Sequence, residues 1–132
     1  MSDRRFELAL QSYENALARL HEALALDETG IVRDALIQRF EFTFEMGWKA
    51  MYRWLRARGA EVNEEAFAVL PRAFANGLIA DEAAWSETRQ KRNLTSHTYR
   101  EQMAVEVAAF VRAVAAARFD ELLATLKARA DE

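Results

Sequence analysis

The chain has no cysteine, one proline and four glycines in 132 residues. Without cysteine there is neither a disulfide framework nor a thiol-based site. Two histidines, His21 and His97, lie far apart in the sequence, which argues against a zinc centre. No apolar run approaches the length of a membrane span, and Met1-Ser2-Asp3-Arg4-Arg5 is followed by no apolar signal core. A cytoplasmic protein with no membrane association is therefore expected. The net charge is -3, so a general DNA-coating role is disfavoured. Period-2 strand patterns, internal repeats and low-complexity tracts are also missing.

What remains is 52% hydrophobic and 30% charged, a composition that excludes disorder and favours helix. One domain over residues 1–132 is expected, long enough to bury a core. Residues 4–26 read as a first helix. Phe6, Leu10, Tyr13, Leu17, Leu20 and Leu24 recur in alternating steps of four and three, a heptad seam. Ala9, Ala16 and Ala23 flank it and would admit a close neighbour. His21 falls beside the seam, toward solvent. After the Asp27-Glu28-Thr29-Gly30 turn, residues 31–58 read as a second helix ended by Gly59. Its main stripe is Ile37, Phe40, Phe44, Trp48, Met51 and Leu55. Phe42 and Trp54 fall outside that stripe, so the helix is apolar on more than one face. Either neighbours pack on both sides or one side is an interface.

Asn63 before Glu64-Glu65 predicts an N-cap. A short helix with Phe67 and Leu70 should kink or restart at Pro71 and end at Asn76-Gly77. Asp81 should cap a fourth helix from Glu82 to about Lys91, with Trp85 inward. A last long helix from Tyr99 to about Arg129 would bury Val107, Phe110, Val114, Leu122 and Leu126. The fold expected is an all-α, up-and-down antiparallel bundle of about five helices.

The densest chemistry lies between residues 89 and 101. Arg92, Asn93, His97 and Tyr99 stand close together, with Arg89, Lys91 and Arg100 around them. From Ser86 to Arg100 there are four basic residues and one acid, Glu87, on an acidic chain. Such an island suits a local anionic ligand. His97 can move a proton near neutral pH. Arg92 offers a planar fork of donors for a phosphate. Asn93 can orient either group, and Tyr99 supplies a hydroxyl. A base beside a phosphate clamp suffices for metal-free RNA cleavage, in which the ribose 2′-hydroxyl is the nucleophile.

On a continuous helix Arg92 and His97 would be about 140° apart. Thr98-Tyr99-Arg100-Glu101 also reads as a capping box, with Thr98 as N-cap. A break near His97 is therefore expected, with a helix start whose free N–H groups add to the anion site. Each residue also has an ordinary reading: His97 as a capping or core histidine, Arg92 as a surface ion pair, Tyr99 as a core aromatic. Glu41 and Glu45 likewise read either as solvated carboxylates, with Glu45 paired to Lys49, or as groups of which one orients Arg92.

Arg92-Asn93-Leu94-Thr95-Ser96-His97-Thr98-Tyr99 resembles the Rx4HxY signature of the HEPN superfamily, in particular its HepT-like branch, the nucleotidyltransferase substrate-binding proteins. Phe40-Glu41-Phe42-Thr43-Phe44-Glu45-Met46-Gly47-Trp48-Lys49 resembles that family's second-helix segment. Pro71-Arg72-Ala73-Phe74-Ala75-Asn76-Gly77-Leu78-Ile79 and then Trp85 follow its usual order. The match covers about residues 6–125. Lys91 departs from it, because an acid often precedes the arginine, and this leaves open how Arg92 is held.

The resemblance implies a homodimer whose motifs face each other and a small nucleotidyltransferase as partner. No cofactor and no metal are expected. Two functions follow from the resemblance. In one the chain is an endoribonuclease toxin of a toxin–antitoxin pair, with Arg92, Asn93 and His97 catalytic, Arg89, Lys91 and Arg100 holding substrate, and Tyr99 the site of AMP transfer. In the other it is a non-catalytic subunit that presents a nucleotide or other substrate to the nucleotidyltransferase.

Overall fold

A computed structural model describes residues 3–131. They form α1 (Arg4–Leu24), α2 (Gly30–Ala57), α3 (Ala66–Ala75), α4 (Glu82–Leu94), a 3₁₀ turn (Thr95–His97), α5 (Glu101–Phe110), a π-helical turn (Val111–Ala115) and α6 (Ala116–Ala128). The backbone stays right-handed helical across both ends of the π turn, so α5 and α6 make one rod. The architecture is the expected all-α bundle, with no strand among the described residues. No helix among them is long and apolar enough to cross a membrane.

Each helix starts or stops for a local reason. Asp3 accepts a hydrogen bond from the Phe6 N–H, Thr29 from Val32 and Asp81 from Ala84, capping α1, α2 and α4. Gly59 (φ 84°) and Gly77 (φ 75°) take the left-handed conformation just past α2 and α3, where a side chain would be strained. Asn63 does not cap α3. Glu65 holds that position without a side-chain bond, and Asn63 serves only through its carbonyl, 2.9 Å from the Glu65 nitrogen. Nor does Pro71 break α3, which runs through it. The helix is short, so the ring meets only the carbonyl of Phe67 in the first turn, whose own side chain is exposed.

The heptad seam of α1 packs on α2. Phe6, Tyr13, Leu17, Leu20 and Ala23 are buried there, facing Phe40, Phe44, Met51 and Leu55. Small residues let the two backbones approach. A Cβ on Gly47 would lie 3.0 Å from Tyr13 Cε1, and the Thr43 hydroxyl donates to the Arg39 carbonyl (2.7 Å) with the Ala16 carbonyl of α1 only 3.3 Å away. The two residues outside the main stripe of α2 divide. Trp54 is buried, its indole N–H donating to the Arg129 carbonyl at 3.3 Å, while Phe42 stays 55% exposed. His21 faces solvent as expected, with its Nε2 2.6 Å from Asp120.

The last rod differs from the uninterrupted helix read from sequence. Ala116 N–H bonds to the Val111 carbonyl, five residues back, so one turn is wider than its neighbours. Val111 and Ala115 in that turn are buried, as are Val107, Phe110, Leu122 and Leu126. Phe119 is the junction with α4: its ring lies 5.7 Å from Trp85, edge to face, and 6.0 Å from Phe40. Arg118 reaches Asp81 at the start of α4 (3.6 Å). These contacts fix α4, and with it the turn that carries His97.

Tyr13 makes one consequence of this packing measurable. Its hydroxyl donates to the Phe119 carbonyl at 2.6 Å. Burial, and secondarily the Asp120 carboxylate, hold its pKa well above the usual tyrosine value. The folded state therefore keeps this proton more tightly than the unfolded chain does. The resulting stability is fully present below about pH 10 and is lost as pH rises beyond it. Tyr13→Phe should cost about 1 kcal/mol at neutral pH through the lost hydrogen bond. In urea melts the gap between parent and variant should narrow above about pH 10. A gap that stays constant to about pH 11 would contradict the assignment.

Candidate functional site

The helix break expected near His97 is present, but its chemistry is different. α4 ends at Leu94, Thr95–His97 form one 3₁₀ turn, and α5 starts only at Glu101 with Arg100 as N-cap. Thr98 is still in right-handed helical conformation and its hydroxyl donates back to the Thr95 carbonyl (2.9 Å). With Thr98 committed to the preceding turn, the capping box does not form. Arg100 N–H closes the turn on the His97 carbonyl (3.1 Å).

Arg92 points from α4 to α2. Its Nε donates to Glu45 Oε1 at 3.1 Å, and its Nη1 lies 3.4 Å from Glu41 Oε2. Nη1 also donates to the Thr95 hydroxyl (3.0 Å), which in turn donates to the Arg92 carbonyl (2.7 Å). Glu45 is itself tied down: its second oxygen accepts from the Trp48 indole at 2.9 Å. Glu45 is thus no partner of Lys49, whose ammonium lies 5.7 Å from the Trp48 ring centre instead. The missing acid before the arginine is supplied from another helix. Glu41 and Glu45, one turn apart, flank the guanidinium from α2.

His97 and Tyr99 form a second group on the turn. Both are exposed, Tyr99 to 75%, with ring centres 6.3 Å apart and planes at 65°. Tyr99 is therefore not a core aromatic. Arg100 stands 5.7 Å over its ring. Asn93 is exposed one turn before His97, and its carbonyl accepts from the Ser96 hydroxyl (3.4 Å). Among the described residues no hydrogen bond joins Arg92 to His97. A hollow of about 500 Å³ lies between α2 and the turn, lined by Asp34, Gln38, Glu41 and Thr98 among others.

The remaining two basic residues take separate directions. Arg89 lies 5.4 Å over the ring of Phe67 on α3, and Lys91 5.6 Å over Phe110 on α5. Thr95 is not marked by the sequence, and Trp48 is marked only as a core residue of the α2 stripe. Their hints were only spacing, three residues after Arg92 and three after Glu45, where helical side chains meet.

Fold and turn together define a class: a small helical bundle that displays an arginine, a histidine and a tyrosine at the junction of two helices. The chain belongs to the family described as nucleotidyltransferase substrate binding protein like, whose model matches residues 8–128. It is 33% identical over 110 residues to the probable ribonuclease HepT of Haemophilus influenzae, covering 76% of this chain and 75% of that protein. A solved structure from Thermus thermophilus superposes with a TM-score of 0.74 at 34% identity, covering 91% of this chain and 99% of the other. A second, from Haemophilus influenzae, is described as the fold of a substrate binding domain of a nucleotidyltransferase. It gives 0.67 at 27% identity, over 92% and 96% of the two chains. The resemblance read from Arg92, His97 and Tyr99 to the HepT-like branch is thereby borne out.

Proposed function

We propose that this protein is the ribonuclease subunit of a toxin–antitoxin pair whose partner is a small nucleotidyltransferase. The observation that carries the reading is the Arg92 guanidinium, held by α2 carboxylates and by Thr95 of the turn that also bears an exposed His97–Tyr99 pair. An arginine whose plane is set in this way offers a fixed fork of donors to a phosphate, and an unburied imidazole can reach a ribose. His97 takes the proton from the 2′-hydroxyl as its oxygen attacks phosphorus, while Arg92 balances the charge that builds on the phosphoryl oxygens. The bond to the 5′-oxygen breaks, and that oxygen takes a proton from the His97 imidazolium or from water, leaving a 2′,3′-cyclic phosphate and a 5′-hydroxyl. Asn93 orients the imidazole or the phosphate, and Arg89, Lys91 and Arg100 attract the flanking strand. No cofactor or metal takes part. The relative's name, probable ribonuclease HepT, supports this reading.

A second reading, in which the same cleft only presents nucleotide to the nucleotidyltransferase, is favoured by the description of the Haemophilus influenzae structure. The two part on one experiment. Purified protein free of host nucleases either cleaves RNA in a manner lost with His97, or binds nucleotide and leaves RNA whole.

The working unit is a homodimer in which two turns face one cleft. Phe42 is 55% exposed and Leu8 54% exposed on the α1–α2 face, large apolar surface that a lone chain would leave in water. Light scattering at micromolar concentration should give twice the 15.1 kDa chain mass. A monomer there would remove the shared cleft.

A further inference from the structure

We propose that the two carboxylates on Arg92 have opposite roles: Glu45 is a positioning residue that fixes the guanidinium, and Glu41 stands in the place of an incoming anion. This rests on the reading of Arg92 as the phosphate-binding group.

The asymmetry is in their surroundings. Both oxygens of Glu45 are engaged, one by Arg92 Nε (3.1 Å) and one by the Trp48 indole N–H (2.9 Å). Trp48 is only 7% exposed, so its indole is a fixed post. Thr95 adds a second fixed contact, on Nη1 (3.0 Å). Together these set the plane of the guanidinium. Glu41 is different. Its contact is an ion pair at 3.4 Å, and its side chain also lines the hollow below Thr98, where it has room to swing. A phosphate binding Arg92 in two-point fashion would use Nη1 and Nη2. Nη1 is where Glu41 sits, and Nη2 donates no hydrogen bond among the described residues.

Charge points the same way. One arginine between two carboxylates carries a net charge of about -1, and that repels a phosphate. Positioning needs one of these acids; the second works against an anionic ligand until it moves. The nucleotide phosphate and the Glu41 carboxylate therefore compete for one edge of Arg92. The surrounding Asp34 and Glu41 keep the hollow acidic when it is empty, which disfavours stray anions.

Glu41→Gln and Glu45→Gln form a matched pair, since each removes one negative charge next to the same arginine. A purely electrostatic effect would be alike in both. The probe is adenosine 5′-monophosphate, titrated against ¹⁵N-labelled full-length protein while the Arg92 Nε–Hε signal is followed. Glu41→Gln should keep that signal and bind about threefold tighter than the parent. Glu45→Gln should lose the protected signal and bind about tenfold more weakly than Glu41→Gln. Trp48→Phe keeps the packing but removes the donor that anchors Glu45, and should shift in the direction of Glu45→Gln. In RNA cleavage, Glu45→Gln should lower kcat more than it raises KM, because a misaligned arginine fails in the transition state rather than in capture. Equal behaviour of the two variants would overturn the proposal. So would weaker binding by Glu41→Gln, or no binding of the probe by parent and Glu41→Gln alike. Absence of RNA cleavage with the binding pattern intact would instead remove the ribonuclease reading and leave this one standing.

Discussion

His97→Ala is expected to lower RNA cleavage by about 10²–10⁴, the usual worth of a positioned proton-transfer group. The fold should not change. His97 is exposed, its side chain makes an edge contact with Tyr99 and no hydrogen bond among the described residues, and the 3₁₀ turn is closed by its backbone carbonyl on Arg100. Surface substitutions of this kind alter stability by no more than about 0.5 kcal/mol. Circular dichroism and the thermal midpoint should match the parent, so a loss of cleavage reports chemistry. Arg92→Ala is a poorer first test. It leaves Glu41 and Glu45 facing each other without their shared cation, and a loss there mixes catalysis with repulsion between the carboxylates. Cleavage by His97→Ala at the parent's rate would remove the histidine from the mechanism.

Transfer of AMP to Tyr99 is expected to silence the site as completely. At 75% exposure, the Tyr99 hydroxyl is open to a modifying enzyme. Its ring lies 6.3 Å from His97 and carries Arg100 over it, so a phosphodiester grown on the oxygen would stand where an RNA phosphate must enter. The adduct's charge and bulk would block the strand by occupying one cleft. Incubation with ATP, magnesium and the proposed nucleotidyltransferase partner should add one AMP per chain. Peptide mass spectrometry should place it on Tyr99, and cleavage should fall in proportion. Tyr99→Phe should resist both the adduct and the inactivation, since the exposed ring has no buried hydrogen bond to lose. An adduct elsewhere with cleavage unchanged would leave the partner as a binder only.

The bundle was legible because its elements repeat over many residues. The alternating steps from Phe6 to Leu24 and the aromatic stripe of α2 are signals averaged over several turns, and both appear as buried faces. Single-residue signals fared less evenly. Asp81 and Gly59 act as read, since a cap depends only on its own few neighbours. Thr98 does not, because a 3₁₀ turn claimed its hydroxyl first. Asn63 does not cap α3, whose N-cap is Glu65, and Pro71 does not restart it, because the helix is so short that the ring falls just past its first turn. At the site, Arg92, Asn93, His97 and Tyr99 could be picked out by residue type and spacing. The partner of Arg92 could not be settled that way. Glu45 had Lys49 four residues ahead and Arg92 across the bundle, and only the packing of α4 on α2 decides between them. The separate directions of Arg89 toward Phe67 and Lys91 toward Phe110 were equally hidden, for they depend on aromatics from other helices.

The most direct measurement is the chemistry of the cut ends. Homogeneous protein should be incubated with total cellular RNA in excess EDTA and the fragments sequenced by end type. A metal-free attack by the 2′-hydroxyl leaves 2′,3′-cyclic phosphate and 5′-hydroxyl ends, made by the parent and absent with His97→Ala. Fragments with 3′-hydroxyl ends, cleavage that stops in EDTA, or intact RNA after prolonged incubation with clean parent protein would each contradict it.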